Sequence, residues 1–199
     1  MMRTATALLL LAPLLRKPYF TAREARELGV HPSVLHHYVK KRRIKRISRG
    51  MYQGNEYKNP AAFRFEDLVE AAYSVKQGII CLISALAVYN LTEKIPRQHW
   101  IAIQHYTSAK ARRGIKILRF RDVTLGKTEI ILEGVKVFIF DRERTIIDAF
   151  RLLSRETAIK ALKAAMAQGG KSRVDLVKLQ EYAKKLRFNI TPYVMSVTA

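Results

Sequence analysis

The sequence predicts an α+β protein in which an N-terminal winged helix-turn-helix is followed by a mixed α+β C-terminal domain. Two helical patterns and a short hairpin fall within residues 20–52, and strand patterns give way to helical ones after residue 141. Between these parts the stretch QGNEYKNP, 53–60, is polar, contains Gly and Pro, and follows a strongly basic block. We therefore predict two domains, 1–55 and 61–199, joined by this linker.

The chain begins with an apolar stretch, residues 5–15, that predicts a buried first helix, bent or ended near Pro13. A secretory signal would end in a small-residue cleavage site, whereas the basic pair Arg16-Lys17 follows here. The stretch is also shorter than the roughly 20 apolar residues that span a bilayer. With Cys81 as its single cysteine, the composition predicts no disulfide framework and a cytoplasmic protein with no membrane partner.

Helix-turn-helix signals follow in FTAREARELGVHPSVLHHYVKK, residues 20–41. Thr21 and Glu24 have the spacing of a capping box, so a helix should begin immediately after Thr21. Gly29 suits the left-handed residue that ends a helix, and Pro32 suits the first turn of the next one. A turn of about three residues between two helices is typical of a helix-turn-helix.

The second of these helices is predicted to contact DNA. Leu35, Tyr38 and Val39 are spaced by three and four, which predicts that they face the core. The opposite face should enter the major groove, with its N-terminal half nearest the bases. The predicted base-reading residues are Ser33, His36 and His37. The cations that follow are predicted to contact phosphates and are Lys40, Lys41, Arg42 and Arg43.

A basic hairpin is predicted directly after this helix. Residues 44–52 alternate apolar and basic side chains around Ser48-Arg49-Gly50, as the wing of a winged helix does. Lys45 and Arg46 make its first strand positive. Arg49 lies at the predicted tip, where a guanidinium can enter the negative potential of the minor groove.

Beyond the linker, helix and strand patterns alternate before the chain becomes helical. Helices are predicted at 61–76, from a Ser84 cap to Tyr89, and over 142–186 with a break at Gly169-Gly170. Strands are predicted at 78–83, 99–103, 115–120, 128–133 and 135–140, with a loop over 104–114 and a tight hairpin at Glu133-Gly134. The charged cluster near residue 141 is interpreted as structural, with Asp141 as a helix cap and Arg144-Asp148 as an ion pair.

The charge balance predicts a polyanionic partner, and the motifs make it double-stranded DNA. Lys and Arg number 37 against 16 Asp and Glu, a net charge of +21. Known phosphate-binding and hydrolase motifs are absent, and EGVK at 133–136 has one residue too many for the Glu-x-Lys of restriction-type nucleases. We predict no enzyme activity, no cofactor and no metal site. Two alternatives stay open: a nuclease delivered to DNA by its winged helix, and a basic RNA- or protein-binding module without operator specificity.

Four stretches of the sequence resemble the AbiEi family, antitoxins and transcriptional regulators of bacterial type IV toxin-antitoxin systems. They are residues 20–52, ICLISALAVYNLTEKIPRQHWIAI at 80–103, DRERTIIDAFRLL at 141–153, and VDLVKLQEYAKKLRF at 174–188. The resemblance implies a repressor that binds inverted repeats in its own promoter through the N-terminal domain. It also implies a C-terminal domain that takes part in antitoxicity, and a neighbouring nucleotidyltransferase-like toxin that is opposed without a stable complex.

Overall fold

The computed structural model describes residues 4–48, 50–57, 64–94, 96–110 and 113–198. Arg49, at the predicted wing tip, lies outside the described residues, and so do 58–63 at the end of the predicted linker and the start of the helix predicted at 61–76. The chain forms two compact units, one of Met1–Ser74 with Ile130–Val137 and one of Val75–Glu129 with Phe138–Ala199. Separate folding of 1–55 and 61–199 stays a prediction.

The first unit contains the winged helix-turn-helix that the sequence predicts. Its elements are α1 (Thr4–Leu15), β1 (Phe20–Thr21), α2 (Ala22–Glu27), α3 (Pro32–Lys40), β2 (Ile44–Ser48), β3 (Met51–Gly54) and α4 (Glu66–Ser74). The three strands form an antiparallel sheet in the order β1-β3-β2. The linker was predicted to start at Gln53, but β3 continues to Gly54 because Ile44 of β2 pairs with that glycine.

Helix α1 is buried on one face only. Leu11 is fully buried, and Ala7 and Leu14 are nearly so, whereas Leu9 is 75% exposed. Pro13 lies inside the helix, which continues to Leu15. Some apolar side chains of this stretch therefore lie outside the core, and the prediction of a buried helix holds for one face of α1.

The capping box predicted at the start of α2 is present. The amide of Glu24 donates to Thr21 Oγ1 at 3.1 Å, and the amide of Thr21 donates to Glu24 Oε2 at 2.7 Å. Helix α2 ends at Glu27, and Gly29 follows its C-cap Leu28 with a φ of +80°, which permits hydrogen bonds from Gly29 N to Arg26 O and from Val30 N to Ala25 O. These bonds fix the turn that leads into α3.

This capping box makes one pH dependence testable. Burial acts to raise the pKa of Glu24, but hydrogen bonds from Lys17 and Thr21 outweigh it and hold the pKa below its usual range. A lowered pKa stabilises the fold above the ordinary pKa of glutamate, and the contribution is lost as the pH falls through the lowered value. We expect Glu24→Ala to reduce the free energy of unfolding by about 1 kcal/mol at pH 7, as loss of a helix cap does.

Urea unfolding at several pH values measures this effect. The difference between Glu24→Ala and the unchanged protein should shrink below about pH 4, where the glutamate becomes protonated. The matched control is Glu27→Ala on the same helix, because Glu27 pairs with Arg23 while both side chains are largely exposed. A pH-independent loss in Glu24→Ala would contradict the assignment.

Strand β1 is an element that the sequence analysis missed. It pairs with β3 through Phe20 and Tyr52, whose rings stack with their centroids 5.8 Å apart. Both residues belong to a buried apolar cluster that includes Leu11 of α1 and Leu35 of α3. The wing is thereby tied to the core beneath the second helix of the helix-turn-helix.

The second unit is built on a mixed sheet. Its elements up to residue 140 are β4 (Ile79–Ile80), α5 (Leu82–Val88), β5 (His99–Gln104), β6 (Ile115–Phe120), and the parts of β7 (Lys127–Leu132) and β8 (Val135–Phe140) outside Ile130–Val137, which counts with the first unit. The order of the strands is β6-β5-β4-β8-β7. Strands β5 and β6 are parallel, β4 is antiparallel to β5, and β4 is parallel to β8. The α+β class is confirmed.

Two predictions near residue 80 are wrong. The strand predicted at 78–83 has only Ile79 and Ile80, and helix α5 begins at Leu82 with Cys81 as its N-cap. Ser84 lies inside the helix, where its hydroxyl accepts a hydrogen bond from Trp100 N at 2.9 Å. A run that is buried on all sides has no periodicity to separate strand from helix, which explains the error.

The C-terminal part is helical, as predicted, with an additional break. It contains α6 (Arg142–Leu152), α7 (Arg155–Ala167), a 3₁₀ turn (Gly170–Ser172), α8 (Leu176–Lys185) and α9 (Thr191–Thr198). The predicted break at Gly169-Gly170 is present. A second break precedes α7, where the Ser154 hydroxyl caps the helix by accepting from Thr157 N.

Helix α6 carries the charged cluster, and its contacts confirm a structural role. Asp141 caps the helix by accepting from Arg144 N at 2.9 Å. Arg144 and Asp148 are each 1% exposed, and Arg144 Nε donates to Asp148 Oδ2 at 2.7 Å. The guanidinium also donates to the carbonyl oxygens of Leu125 and Asp122, so its hydrogen-bonding groups are satisfied within the unit.

Candidate nucleic-acid interface

Helix α3 presents the face that the sequence predicts. Leu35 is fully buried and Tyr38 is 3% exposed, while Val39 is half-buried. The Tyr38 hydroxyl is hydrogen-bonded to the backbone of Leu8 in α1. This bond restrains the rotation of α3 about its axis. The predicted contact residues of the helix are all exposed and are Ser33, His36, His37, Lys40 and Lys41.

The cap of this helix, His31, was not predicted from the sequence. Its Nδ1 accepts from Ser33 N at 3.3 Å and lies 2.9 Å from Ser33 Oγ. The imidazole and the Ser33 hydroxyl share this hydrogen bond, and Ser33 Oγ keeps a lone pair free. That lone pair is suited to accept from the amino group of adenine or cytosine.

The residue that follows the C-cap of α3 is an arginine, Arg42, in an unusual backbone conformation. Arg43 N donates to Tyr38 O and Arg42 N donates to Val39 O, the hydrogen bonds of a Schellman motif. Arg42 takes the position that glycine usually occupies, with a φ of +54°. A side chain in this region costs about 1–2 kcal/mol relative to ordinary helical geometry. The cap places the Arg42 side chain directly after α3.

Little negative charge lies close to this end of the helix. Residues 28–55 contain seven Lys and Arg and no Asp or Glu. In the part of the chain that the structure describes, Lys40, Lys41 and Arg42 form no ion pair. Arg43 approaches Glu56 at 3.9 Å, with both side chains largely exposed, so this pair contributes little and leaves Arg43 able to exchange partners.

The wing residues are less uniform than predicted. Lys45 and Arg46 are exposed on β2, but Lys45 lies close enough to Glu70 of α4 to act on the pKa of that carboxyl. Burial still dominates and raises the pKa of Glu70. Lys45 therefore has a carboxylate competing with any phosphate, and its contribution to DNA binding should be smaller than that of Lys40 or Lys41.

The alternative of a nuclease centre at Glu133 finds no support in the geometry. Glu133 and Gly134 form the turn between β7 and β8, with φ values of +49° and +76°. The Glu133 carboxylate accepts a hydrogen bond from Phe65 N at 3.1 Å, and the Lys136 carbonyl accepts from the Tyr73 hydroxyl. Among the described residues, His, Cys, Asp and Glu do not gather in groups of three or more that could hold a metal ion.

The comparison with known families falls on this interface. Residues 10–53 match the sequence model of a family described as "Transcriptional regulator, AbiEi antitoxin". The predicted resemblance to the AbiEi family is confirmed over that segment. The AbiEi match begins within α1 and ends within β3, so it includes the whole helix-turn-helix and the wing. A search of curated proteins gave no match.

No helix within the described residues combines the length and apolar character needed to cross a membrane. Helix α1, whose sequence is largely apolar, has 12 residues against the roughly 20 that a bilayer requires.

Proposed function

We propose that this chain is a sequence-specific transcriptional regulator that binds duplex DNA through α3 and the wing. The observation that carries the proposal is the exposed face of α3, where polar groups at the N-terminal half are followed at the C-terminal end by cations that form no ion pair among the described residues. Bases are read by groups of the first kind, and phosphates are bound by groups of the second. The AbiEi match to the same segment supports this assignment.

We further propose that the regulator is the antitoxin of a type IV toxin-antitoxin system. The description of the matched family supports this role. In the proposal, the N-terminal domain represses its own operon at inverted repeats, and the C-terminal domain counteracts a nucleotidyltransferase-like toxin without forming a stable complex. The protein acts in the cytoplasm, and no catalytic step, cofactor or metal is assigned to it.

Titrating DNA at rising salt tests the regulator proposal. The chain is mixed with a labelled duplex from its own promoter and with a scrambled duplex of the same length and composition. We expect about a thousandfold preference for the promoter duplex at physiological salt. Both affinities should fall with salt, because phosphate contacts release counterions in either complex. Equal affinities would show a basic module without operator specificity.

Two substitutions on α3 should separate base contacts from phosphate contacts. We expect His36→Ala to weaken promoter binding by about 1–3 kcal/mol and to leave scrambled-duplex binding nearly unchanged. Lys40→Ala should weaken both complexes and reduce the slope of affinity against salt by about one counterion. Fluorescence anisotropy with the two duplexes measures both effects.

The choice of His36 keeps this comparison free of folding effects. Ser33→Ala would also remove the hydrogen bond to the cap residue His31, so any loss of binding would mix readout with helix stability. His36 is exposed, and no hydrogen bond within the described residues depends on it. If His36→Ala weakened both duplexes equally, the division of α3 into reading and anchoring halves would be wrong.

A further inference from the structure

A second basic stretch lies outside the winged helix. Residues 94–121 contain eight Lys and Arg and no Asp or Glu, so they match residues 28–55 in charge pattern. They include β5, β6 and the connection between these strands, of which 111 and 112 lie outside the described residues. The regulator proposal makes no use of this stretch.

Strand pairing gathers cations and aromatic rings at one end of the sheet. Because β5 and β6 are parallel, their C-terminal ends lie side by side. His105 N donates to Phe120 O at 2.9 Å, and the Gln104 side chain donates to Arg121 O at 2.7 Å. His105 therefore lies next to Arg121 at the end of the ladder, with Tyr106 following His105 and Arg119 two residues before Arg121. This group of four residues is called the strand-end cluster below.

The aromatic members of the strand-end cluster face solvent. Tyr106 is 78% exposed, the most exposed of the large hydrophobic side chains in the described residues. The His105 ring contacts it edge to face, with centroids 5.1 Å apart and an interplanar angle of 71°. This contact orients the tyrosine while most of its surface stays open. An open aromatic face is what an unpaired base stacks on.

The cations of the cluster are available for an anion. Arg119 and Arg121 are exposed, and neither pairs with a carboxylate of the described residues. Asp122 follows Arg121, but its Oδ1 already accepts hydrogen bonds from Thr124 and Leu125. Strand β6 is also an edge strand of the sheet. Few carboxylates of the described residues therefore compete with a bound anion for Arg119 and Arg121.

We propose that the strand-end cluster binds unpaired nucleotides of single-stranded nucleic acid, with Tyr106 stacking on a base and Arg119 and Arg121 contacting phosphates. Charge complementarity selects a polyanion, and an exposed ring at the same strand ends as the two arginines selects one whose bases are free to stack. A duplex keeps its base faces covered within its own stack. This surface goes beyond the proposed regulator function, and its test does not depend on operator binding.

The experiment measures binding of the full chain to labelled 20-nucleotide RNA and DNA strands of the same unstructured sequence. Excess unlabelled scrambled duplex is present to occupy the α3 surface. We expect Tyr106→Ala to weaken strand binding about tenfold or more, whereas Tyr106→Phe should stay within about twofold because it keeps the ring. Arg119→Ala with Arg121→Ala should reduce the salt slope by about 1.4, the value for two phosphates of a single strand.

Controls separate this surface from general basicity. Lys163→Ala removes an exposed cation of α7 in the same unit and should change strand affinity by less than about twofold. Comparison of the RNA and DNA strands shows whether the sugar hydroxyl is contacted in addition to the base. The proposal fails if Tyr106→Ala leaves strand binding unchanged, or if it weakens binding of a labelled duplex by the same factor.

Discussion

Asp148→Ala is expected to reduce the unfolding free energy by about 3–5 kcal/mol, because it removes one partner of a buried ion pair. Arg144 and Asp148 are both 1% exposed, and the alanine leaves the Arg144 guanidinium buried without a carboxylate. The two backbone carbonyls that Arg144 also contacts accept its protons but do not neutralise its charge. Urea unfolding followed by circular dichroism measures the loss.

A matched control and a rescue make this prediction specific. Glu156→Ala breaks an ion pair of the same i, i+4 spacing, between Glu156 and Lys160, whose side chains are each 70% exposed. That loss should stay below about 1 kcal/mol. Loss of hydration raises the pKa of Asp148 despite its two arginine neighbours, so the ionised pair is expensive to bury. Arg144→Met with Asp148→Leu should therefore recover most of the stability.

The features that could be predicted from the sequence are those fixed by neighbours along the chain. The capping box of Thr21 and Glu24 depends on a spacing of three residues, and the turn at Glu133-Gly134 depends on two residues that adopt positive φ. The buried face of α3 follows from the periodicity of Leu35 and Tyr38. Each of these signals is local, so no knowledge of the tertiary structure was needed.

The features that were missed depend on partners that are distant in sequence. Strand β1 exists because Phe20 and Thr21 pair with β3, about 30 residues away. Ser84 was predicted as a cap, but its hydroxyl is taken by the amide of Trp100. A strand of two residues has no period to detect, and a hydroxyl inside an apolar run gives no sign of which backbone amide it will meet.

The residues of the candidate site also fall into two groups, those placed by local sequence and those placed by contacts with distant residues. The exposure of the predicted residues on α3 follows from helical periodicity, whereas the proximity of Lys45 to Glu70 arises from packing of α4 near β2. The strand-end cluster could not be predicted, because Tyr106 and Arg121 come to the same end of the sheet only through the register of two parallel strands. Parallel strands are joined by long connections, so their register is not written in a local turn.

Replacing Leu35 by alanine is expected to reduce the unfolding free energy by about 2–5 kcal/mol and to abolish binding of every duplex at temperatures that the unchanged chain tolerates. Leu35 is fully buried in the cluster that joins α3 to α1 and to the wing strands. A cavity at this point removes the contacts that hold α3 in place. The polar face then loses its fixed orientation, although none of its own residues has changed.

Leu9→Ala is the matched control, because it makes the same chemical change on a leucine of the same unit that is 75% exposed. Its stability should change by less than about 0.5 kcal/mol, as is usual for surface substitutions. Thermal unfolding and anisotropy with the promoter duplex give the two readouts. Since α3 must be both folded and oriented to bind, the two losses in Leu35→Ala should disappear together on cooling. Full promoter affinity at a temperature where thermal unfolding shows the Leu35→Ala chain to be unfolded would show that duplex DNA binds elsewhere than on α3.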